Sequence, residues 1–267
     1  MKSFLKWAGN KHRIVEKIIT CLPNGTRLVE PFVGSGVVFM NSNYKSWLLS
    51  EKNQDLITLF KILQEEGESF IDYCKTFFLK KNNSSSIYYD LRTNFNETKN
   101  KRLKSALFLY LNKHCYNGLC RYNLSGKFNV PFGFYKNVYF PKKEMLYFYE
   151  LSKKALFKCC DYKEIYKFIK KGDVIYCDPP YIPLSNTEYF TQYGPYKFNE
   201  NDQEELADFA RKLANKGIPV LLSNHDTKFT RELYSGAKIK EINVQRNISC
   251  KGSTRRKVKE ILALFEG

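Results

Sequence analysis

Strand and helix patterns alternate at the two ends of the chain, whereas a long stretch in the middle of the chain, 57–113, holds only helical patterns. Short apolar runs that fit strands lie at 26–31, 46–51, 172–178, 217–224, 238–245 and 258–265. Amphipathic stretches lie between several of them, and the stretch 201–216 has a polar cap at its start and Gly217 after its end. This alternation predicts an α/β sheet whose strands are mainly parallel.

The central segment interrupts that alternation. Residues 57–113 have helical periodicity with no strand between them, and residues 116–141 are rich in turn signals such as Asn-Gly and Ser-Gly. We expect the second part to form a β-hairpin with long loops. The sequence therefore predicts a sheet domain made of 1–56 and 157–267, into which a mostly helical domain of 57–156 is inserted.

The charge of the chain is strongly positive and unevenly distributed. Against 27 Asp and Glu there are 44 Lys and Arg, which gives a formal net charge of +17. Such an excess indicates a polyanionic partner. No acidic residue occurs from Thr98 to Lys143, where the basic residues are Lys99, Lys101, Arg102, Lys104, Lys113, Arg121, Lys127, Lys136, Lys142 and Lys143. Because carboxylates would repel phosphates, this stretch predicts a nucleic-acid-binding surface.

Other classes of protein fit the sequence poorly. No apolar run approaches the length of a membrane span, and the N-terminus lacks the apolar region of a secretory signal. The eight cysteines are scattered without paired CxxC units, so reduced thiols are expected and a metal site is not. We expect a cytoplasmic protein.

A glycine turn follows the first predicted strand. The sequence LVEPFVGSGVVF places Gly34 and Gly36 between this strand and a helical pattern at 36–43. Ligands of open α/β sheets bind at the carboxyl ends of the strands, where glycine lets the backbone approach them. The third glycine of a dinucleotide fingerprint is replaced by Phe39, so the NAD fingerprint is absent. Glu30 ends the first strand and Glu51 ends the second, where a carboxylate can accept both hydroxyls of a ribose. A tight turn and a solvated strand end are the alternatives.

The sequence YCDPPY at 176–181 ends another predicted strand on Asp178. Taken alone, it indicates a turn, because proline fixes φ and disfavours a helical conformation in the residue before it. Together with FLKWAGNK at 4–11 and EPFVGSG at 30–36, it makes the chain resemble the Dam-type DNA adenine methyltransferases, which are α-group amino-methyltransferases. The resemblance runs along nearly the whole chain and includes 107–133 and 218–234.

The resemblance implies a Rossmann-like class I methyltransferase sheet with an inserted target-recognition domain. It also implies S-adenosylmethionine as the cofactor, and methylation of adenine N6 in double-stranded DNA, usually within GATC. The residues that it places at the cofactor are Trp7, Lys11, Phe32, Gly34, Gly36, Glu51 and Asp178. The residues that it places on DNA are Lys6, Tyr116, Asn117, Leu119, Arg121, Asn123, Asn129, Pro131 and Tyr135. Glu51 stands where the family usually has Asp, and Phe134 stands where a basic phosphate contact is expected.

The DPPY motif suits the chemistry of amino methylation. The N6 lone pair is delocalised into the ring, and two acceptors aimed at the amino hydrogens localise it and stabilise the positive charge that develops. Asp178 and the backbone carbonyl of Pro179 are the expected acceptors, with Pro179 and Pro180 fixing the direction of that carbonyl. Tyr181 is expected to stack on a base flipped out of the duplex. This chemistry requires no metal.

Three other functions remain open at this point. An amino-methyltransferase of the same fold could act on cytosine N4 or on RNA. A DNA-binding protein that has lost catalysis would show damage in the cofactor or DPPY residues, and only Glu51 departs from the pattern. A metal-dependent nuclease would need clustered carboxylates, which the DPPY motif lacks. We expect an adenine-specific DNA methyltransferase that is a monomer in solution.

Overall fold

The computed structural model describes residues 1–181, 198–245 and 257–267, which build one seven-stranded sheet. The strands are β1 Arg27–Glu30, β2 Ser46–Glu51, β3 Ala155–Cys159, β4 Asp173–Cys177, β5 Val220–His225, β6 Lys238–Gln245 and β7 Lys257–Phe265. Their order is β3-β2-β1-β4-β5-β7-β6. The first five strands in that order are parallel, and β7 pairs antiparallel with β5 and with β6. The predicted α/β fold with a mainly parallel sheet is confirmed.

Helices cover the sheet and fill the insertion between β2 and β3. The helices of the described residues are α1 Val15–Cys21, α2 Gln54–Glu66, α3 Glu68–Lys75, α4 Ser85–Glu97, α5 Lys101–His114, α6 Lys142–Ser152, α7 Tyr162–Ile165, α8 Glu200–Ala214 and α9 Lys228–Leu233. Asn53 and Asn100 cap α2 and α5 by accepting hydrogen bonds from the third residue of each helix. A reciprocal capping box of Asn199 and Asp202 begins α8. Helices α2 to α6 form the predicted helical insertion.

The sheet separates two apolar cores, as expected of strands that are buried on both faces. Leu28, Leu49 and Tyr176 pack with the inserted helices on one face. Their chain neighbours Val29 and Ile175 pack with α7 and α8 on the other face. Since successive side chains of a strand point to opposite faces, the carboxyl ends of β1 and β4 present Glu30 and Asp178 on the face of the inserted helices.

Two local predictions were wrong in this part of the chain. β3 was not predicted, because it is a partly exposed edge strand on which Leu156 is 49% exposed. The helix expected at 36–43 is only a 3-10 turn, Phe39–Asn41. It ends because Ser42 is extended and donates its hydroxyl to the Phe39 carbonyl at 3.2 Å.

The segment 115–135, called the recognition loop below, is not the predicted β-hairpin. It forms no strands; its pairing consists of the isolated bridges Cys115–Phe132 and Tyr122–Phe128. Side chains of α4 take up backbone groups that a ladder would use: Asn96 donates to the Phe128 carbonyl and accepts from its amide, and Tyr88 donates to the Val130 carbonyl at 2.8 Å. The loop is therefore held by the inserted helices.

The division into two domains remains a prediction. Its boundaries fall inside elements, since residue 57 lies in α2 and residue 157 lies in β3. Among the described residues, no helix is both long enough and apolar enough to cross a membrane.

Candidate active site and recognition loop

The glycine turn after β1 carries the N-terminal segment on top of it. Gly34 and Gly36 have φ values of 48° and 71°, in the left-handed region that favours glycine. The indole of Trp7 packs so closely that a Cβ on Gly34 would lie 2.9 Å from Trp7 Nε1. Asn10 donates to the Ser35 hydroxyl at 2.9 Å. The turn and the predicted cofactor residue Trp7 thus form one unit.

Glu51 at the end of β2 faces this turn. Its carboxylate accepts hydrogen bonds from the Gly34 amide at 3.3 Å and from the Lys52 amide at 2.9 Å. Burial raises the pKa of Glu51, and the hydrogen bonds from these amides oppose that rise. A carboxylate has about four acceptor positions, and the Asn53 amide also lowers the pKa of Glu51, so acceptor capacity remains for a ribose hydroxyl. The residues present fit the adenosyl part of S-adenosylmethionine.

Asp178 follows β4 and is held through one of its oxygens. Lys11 Nζ lies 3.0 Å from Asp178 Oδ1, and the Ser223 hydroxyl donates to the same oxygen at 2.8 Å. Lys11, which is only 7% exposed, also donates to the Gly9 carbonyl at 3.1 Å. In the described part of the chain, this ion pair and this hydrogen bond meet at the same carboxylate oxygen, Oδ1.

The rest of the DPPY motif is fixed by β5 and α8. Gln203 of α8 donates to the Pro180 carbonyl at 2.8 Å, and Asn224 donates to the Gln203 side chain at 3.0 Å. The Tyr181 ring packs edge-on against His225, with centroids 4.7 Å apart. Burial, and then the nearby Asp178, raise the pKa of Tyr181 well above its ordinary value. Tyr181 therefore keeps its hydroxyl proton as a donor.

Glu30 ends β1 and Phe32 follows it, and the two side chains lie on opposite faces of the sheet. Glu30 is 2% exposed, and its Oε1 has no hydrogen-bond partner among the described residues. Burial, and then Asp178, raise the pKa of Glu30 well above its ordinary value. The ring of Phe32 packs against Tyr162, with centroids 5.4 Å apart, and belongs to the core around α7 and α8.

Lys6 connects the N-terminal segment to the base of the recognition loop. Its backbone amide donates to Asn112 Oδ1 at 2.9 Å, and its Nζ donates to the Lys113 carbonyl at 3.0 Å. The same Nζ lies 3.9 Å from the centre of the Tyr135 ring. Burial lowers the pKa of Lys6. Two of the predicted DNA-facing residues, Lys6 and Tyr135, are thus brought together.

Arg121 is oriented within the recognition loop by Asn129. Arg121 Nε donates to Asn129 Oδ1 at 2.7 Å, and Nη2 donates to the Asn129 carbonyl at 3.2 Å. Asn123 holds the tip of the loop, because its side-chain oxygen accepts from the amides of Ser125 and Lys127. Asn123 and Asn129 therefore shape the loop.

The remaining predicted DNA residues lie beside one another at the loop surface. The Tyr116 amide donates to the Pro131 carbonyl at 2.8 Å, and the Tyr116 side chain is 46% exposed. Asn117 is exposed and has a left-handed φ of 53°. Leu119 is partly buried against the core of the inserted helices. Phe134, 78% exposed with a φ of 51°, places an aromatic ring where the resemblance implies a cation.

Comparison with known proteins identifies the family. The model of the D12 class N6 adenine-specific DNA methyltransferases matches residues 7–248. The chain belongs to this family. It is similar to the DNA adenine methylases of Vibrio cholerae serotype O1 (47% identity, 99% of this chain and 96% of that protein), Haemophilus influenzae (47%, 99% and 93%) and Escherichia coli K12 (44%, 99% and 95%). The predicted adenine-specific DNA methyltransferase is confirmed.

The stretch 98–143 of this methyltransferase has no acidic residue of its own, but acidic residues of other helices contact it. Three of its basic residues pair with carboxylates of α2 and α3: Arg102 with Glu66, Lys104 with Asp55, and Lys142 with Asp72. Lys113 is 8% exposed, and burial lowers its pKa to about 8. The stretch therefore does not form one continuous basic surface, because α5 lies among the other inserted helices.

Several residues around the methyltransferase's DPPY motif were missed by sequence reasoning. These are Gln203, Ser223, Asn224 and Glu260. A signal for two of them exists, since Ser-Asn-His follows an apolar run at the end of β5. Glu260 is a single acid in the apolar run of β7, and Gln203 lies in an amphipathic helix, where nothing local distinguishes it. Among the described residues, no group of acids, histidines and cysteines could hold a metal ion.

Proposed function

We propose that this DNA adenine methyltransferase uses S-adenosylmethionine to methylate adenine N6 within GATC in duplex DNA, and that it acts as a monomer. The observation that carries the proposal is the Asp178 carboxylate, fixed through Oδ1 by Lys11 and Ser223 at the carboxyl end of β4. The assignment of adenine in DNA as the substrate follows from the family to which the chain belongs. The full-length similarity to DNA adenine methylases supports methylation of adenine in DNA.

The cofactor site is proposed at the glycine turn. Gly34 and Gly36 give the backbone room, Trp7 covers the turn, and Glu51 accepts a ribose hydroxyl. Lys11 and Phe32 also belong to the proposed cofactor site. When bound, S-adenosylmethionine supplies a methyl group already activated by its sulfonium. Positioning then provides most of the rate enhancement.

Asp178 and Pro179 act on the amino group of adenine. The Asp178 carboxylate and the Pro179 carbonyl accept the two N6 hydrogens, which localises the lone pair on N6. Asp178 is also the nearest base for the one proton that N6 loses after transfer. The ring of Tyr181 stacks on the flipped adenine. Gln203 holds the Pro180 carbonyl and thereby limits the motion of the motif.

Arg121 is the proposed reader of a guanine in the target. A guanidinium matches guanine O6 and N7 by two parallel hydrogen bonds, which lysine cannot reproduce. Asn129 orients this guanidinium from within the loop. Lys6, Tyr116, Asn117, Leu119, Pro131 and Tyr135 complete the proposed DNA surface.

Plasmid methylation tests the proposal. The protein is incubated with plasmid DNA and S-adenosylmethionine, and the product is digested with restriction enzymes that are blocked by, or require, methylation of GATC. We expect protection only with cofactor and active enzyme, and none with Asp178→Ala. Methyl incorporation without any change at GATC would contradict the assigned target, and no incorporation at all would contradict the cofactor.

A further inference from the structure

Glu260 of β7 lies against the active site, although no predicted role uses it. It is 4% exposed and pairs in register with His225 of β5. Its Oε2 accepts a hydrogen bond from the Tyr181 hydroxyl at 3.3 Å and lies 4.0 Å from Lys11 Nζ. Glu260 therefore touches both side chains that flank Asp178.

An ion pair with Lys11 is a weak reason in terms of stability for a carboxylate at this position. Its chain neighbour Ile261 is fully buried, and Leu262 next to it is 1% exposed. Burying a charge costs free energy that a nearby cation offsets only in part, and apolar replacements of buried ion pairs are often neutral or stabilising. A glutamate at this place thus points to a requirement of the site.

The contacts of Glu260 define what it does for its neighbours. Lys11 lies between two carboxylates, Asp178 at 3.0 Å and Glu260 at 4.0 Å, so its ammonium is fixed from two sides. Tyr181 is fixed by its hydroxyl at Glu260 and by its ring at His225, with Lys11 Nζ 4.4 Å from the ring centre. A ring held at both its edge and its hydroxyl keeps one orientation before the base arrives.

We propose that Glu260 is a positioning residue for methyl transfer: it anchors the Tyr181 hydroxyl and the Lys11 ammonium, and so sets the orientation of the DPPY motif toward a flipped adenine. This inference rests on the proposed roles of Asp178 and Tyr181. It assigns β7, from the antiparallel side of the sheet, a part in a site otherwise built from the parallel strands. Glu260 acts through its hydrogen bond and through its charge, and the two effects are separable.

Three variants separate these effects. Glu260→Gln keeps an oxygen that accepts from Tyr181 and removes the charge near Lys11. Glu260→Leu removes both, and Tyr181→Phe removes only the hydroxyl. Glu241→Gln on the neighbouring strand β6 is the matched control, because Glu241 is 54% exposed and pairs with Arg231 outside the site.

The readouts are kcat, the KM for DNA, thermal unfolding, and the fluorescence of 2-aminopurine placed at the target adenine, which reports base flipping. Losing a hydrogen bond to a charged group corresponds to about 10- to 100-fold. We expect Glu260→Leu and Tyr181→Phe to lose kcat by about this factor and to show a reduced fluorescence change, with KM little altered. A double variant that combines Glu260→Leu with Tyr181→Phe should lose no more of the fluorescence change than Glu260→Leu alone. Glu260→Gln should keep the fluorescence change and lose kcat.

Other results would overturn the inference. If Glu260→Leu folds and retains kcat within twofold of the wild type, Glu260 does not position the motif. If it unfolds, Glu260→Gln and Tyr181→Phe decide, and normal kcat in both rejects the proposal. Additive losses of the fluorescence change in the double variant would show that Glu260 and Tyr181 act separately. A wild type without methylation would instead reject the proposed function itself.

Discussion

Replacing Asp178 tests the chemistry most severely, because the structure fixes this carboxylate from two sides. Asp178→Ala removes the acceptor at the end of β4 and leaves Lys11 and Ser223 without their shared oxygen. Losing a preorganised acceptor of developing charge costs about 10²–10³ in kcat. Asp178→Asn keeps an acceptor oxygen and loses the charge, so we expect it to lose less than alanine.

Asp178→Ala also lowers the free energy of unfolding, and the contacts of Lys11 set an upper limit on that loss. Lys11, at 7% exposure, would lose its partner at 3.0 Å. Removing one partner of a buried ion pair costs about 3–5 kcal/mol because a buried charge is left uncompensated. Glu260 remains 4.0 Å from the ammonium, and Asp178 itself is partly exposed, so we expect a cost at or below about 3 kcal/mol.

Single-turnover methylation with saturating DNA and cofactor measures the rate, and denaturant unfolding measures the stability of the same samples. Binding of duplex DNA, followed by fluorescence anisotropy, should change little. A rate for folded Asp178→Ala within a few-fold of the wild type would refute the acceptor role. A loss of rate that only follows the unfolded fraction would refute it equally.

Three further predictions follow from other parts of the molecule. Glu51→Ala should weaken S-adenosylmethionine by about 1–3 kcal/mol in calorimetry, as for a lost hydrogen bond to a charged group, and unchanged affinity would contradict the ribose role. Arg121→Ala should lose about 1–3 kcal/mol of discrimination at one base pair only, measured as kcat/KM on duplexes with single changes in GATC; a uniform loss would indicate a phosphate contact. Burial lowers the pKa of His114 to about 4, so protons bind the unfolded state first as the pH falls below 6.5. His114 should therefore contribute a loss of about 3 kcal/mol between pH 6.5 and 4, and His114→Phe should show a shallower loss than the wild type in urea titrations; equal slopes would contradict this origin.

The strands were predictable where burial is complete. β1, β4 and β5 are continuous apolar runs because both of their faces are covered. β3 was missed because an edge strand with an exposed face lacks that signal, as Leu156 and Lys158 show. The recognition loop was predicted as a hairpin because its turn residues are local. Its lack of strands depends on Tyr88 and Asn96 of α4, which are distant in sequence.

Some residues of the candidate site could be predicted from the sequence, and others could not. The glycine turn, Glu51 and Asp178 lie directly after predicted strands, so the rule for the carboxyl ends of parallel strands finds them. Ser223 and Glu260 reach Asp178 and its neighbours only after β5 and β7 have joined the sheet. Arg121 was predicted as a DNA-facing residue, and the fold supplies Asn129, which orients its guanidinium. The sequence therefore identifies residues of the site, but not the residues distant in sequence that hold them in place.

Mass spectrometry of the methylated nucleosides tests the central claim most directly. A duplex with a single GATC site is incubated with the protein and isotopically labelled S-adenosylmethionine, digested to nucleosides, and analysed for labelled products. The account predicts labelled N6-methyladenine at one adenine per strand, and its loss in Asp178→Ala. Label on cytosine N4, or label on adenine that persists in Asp178→Ala, would contradict it.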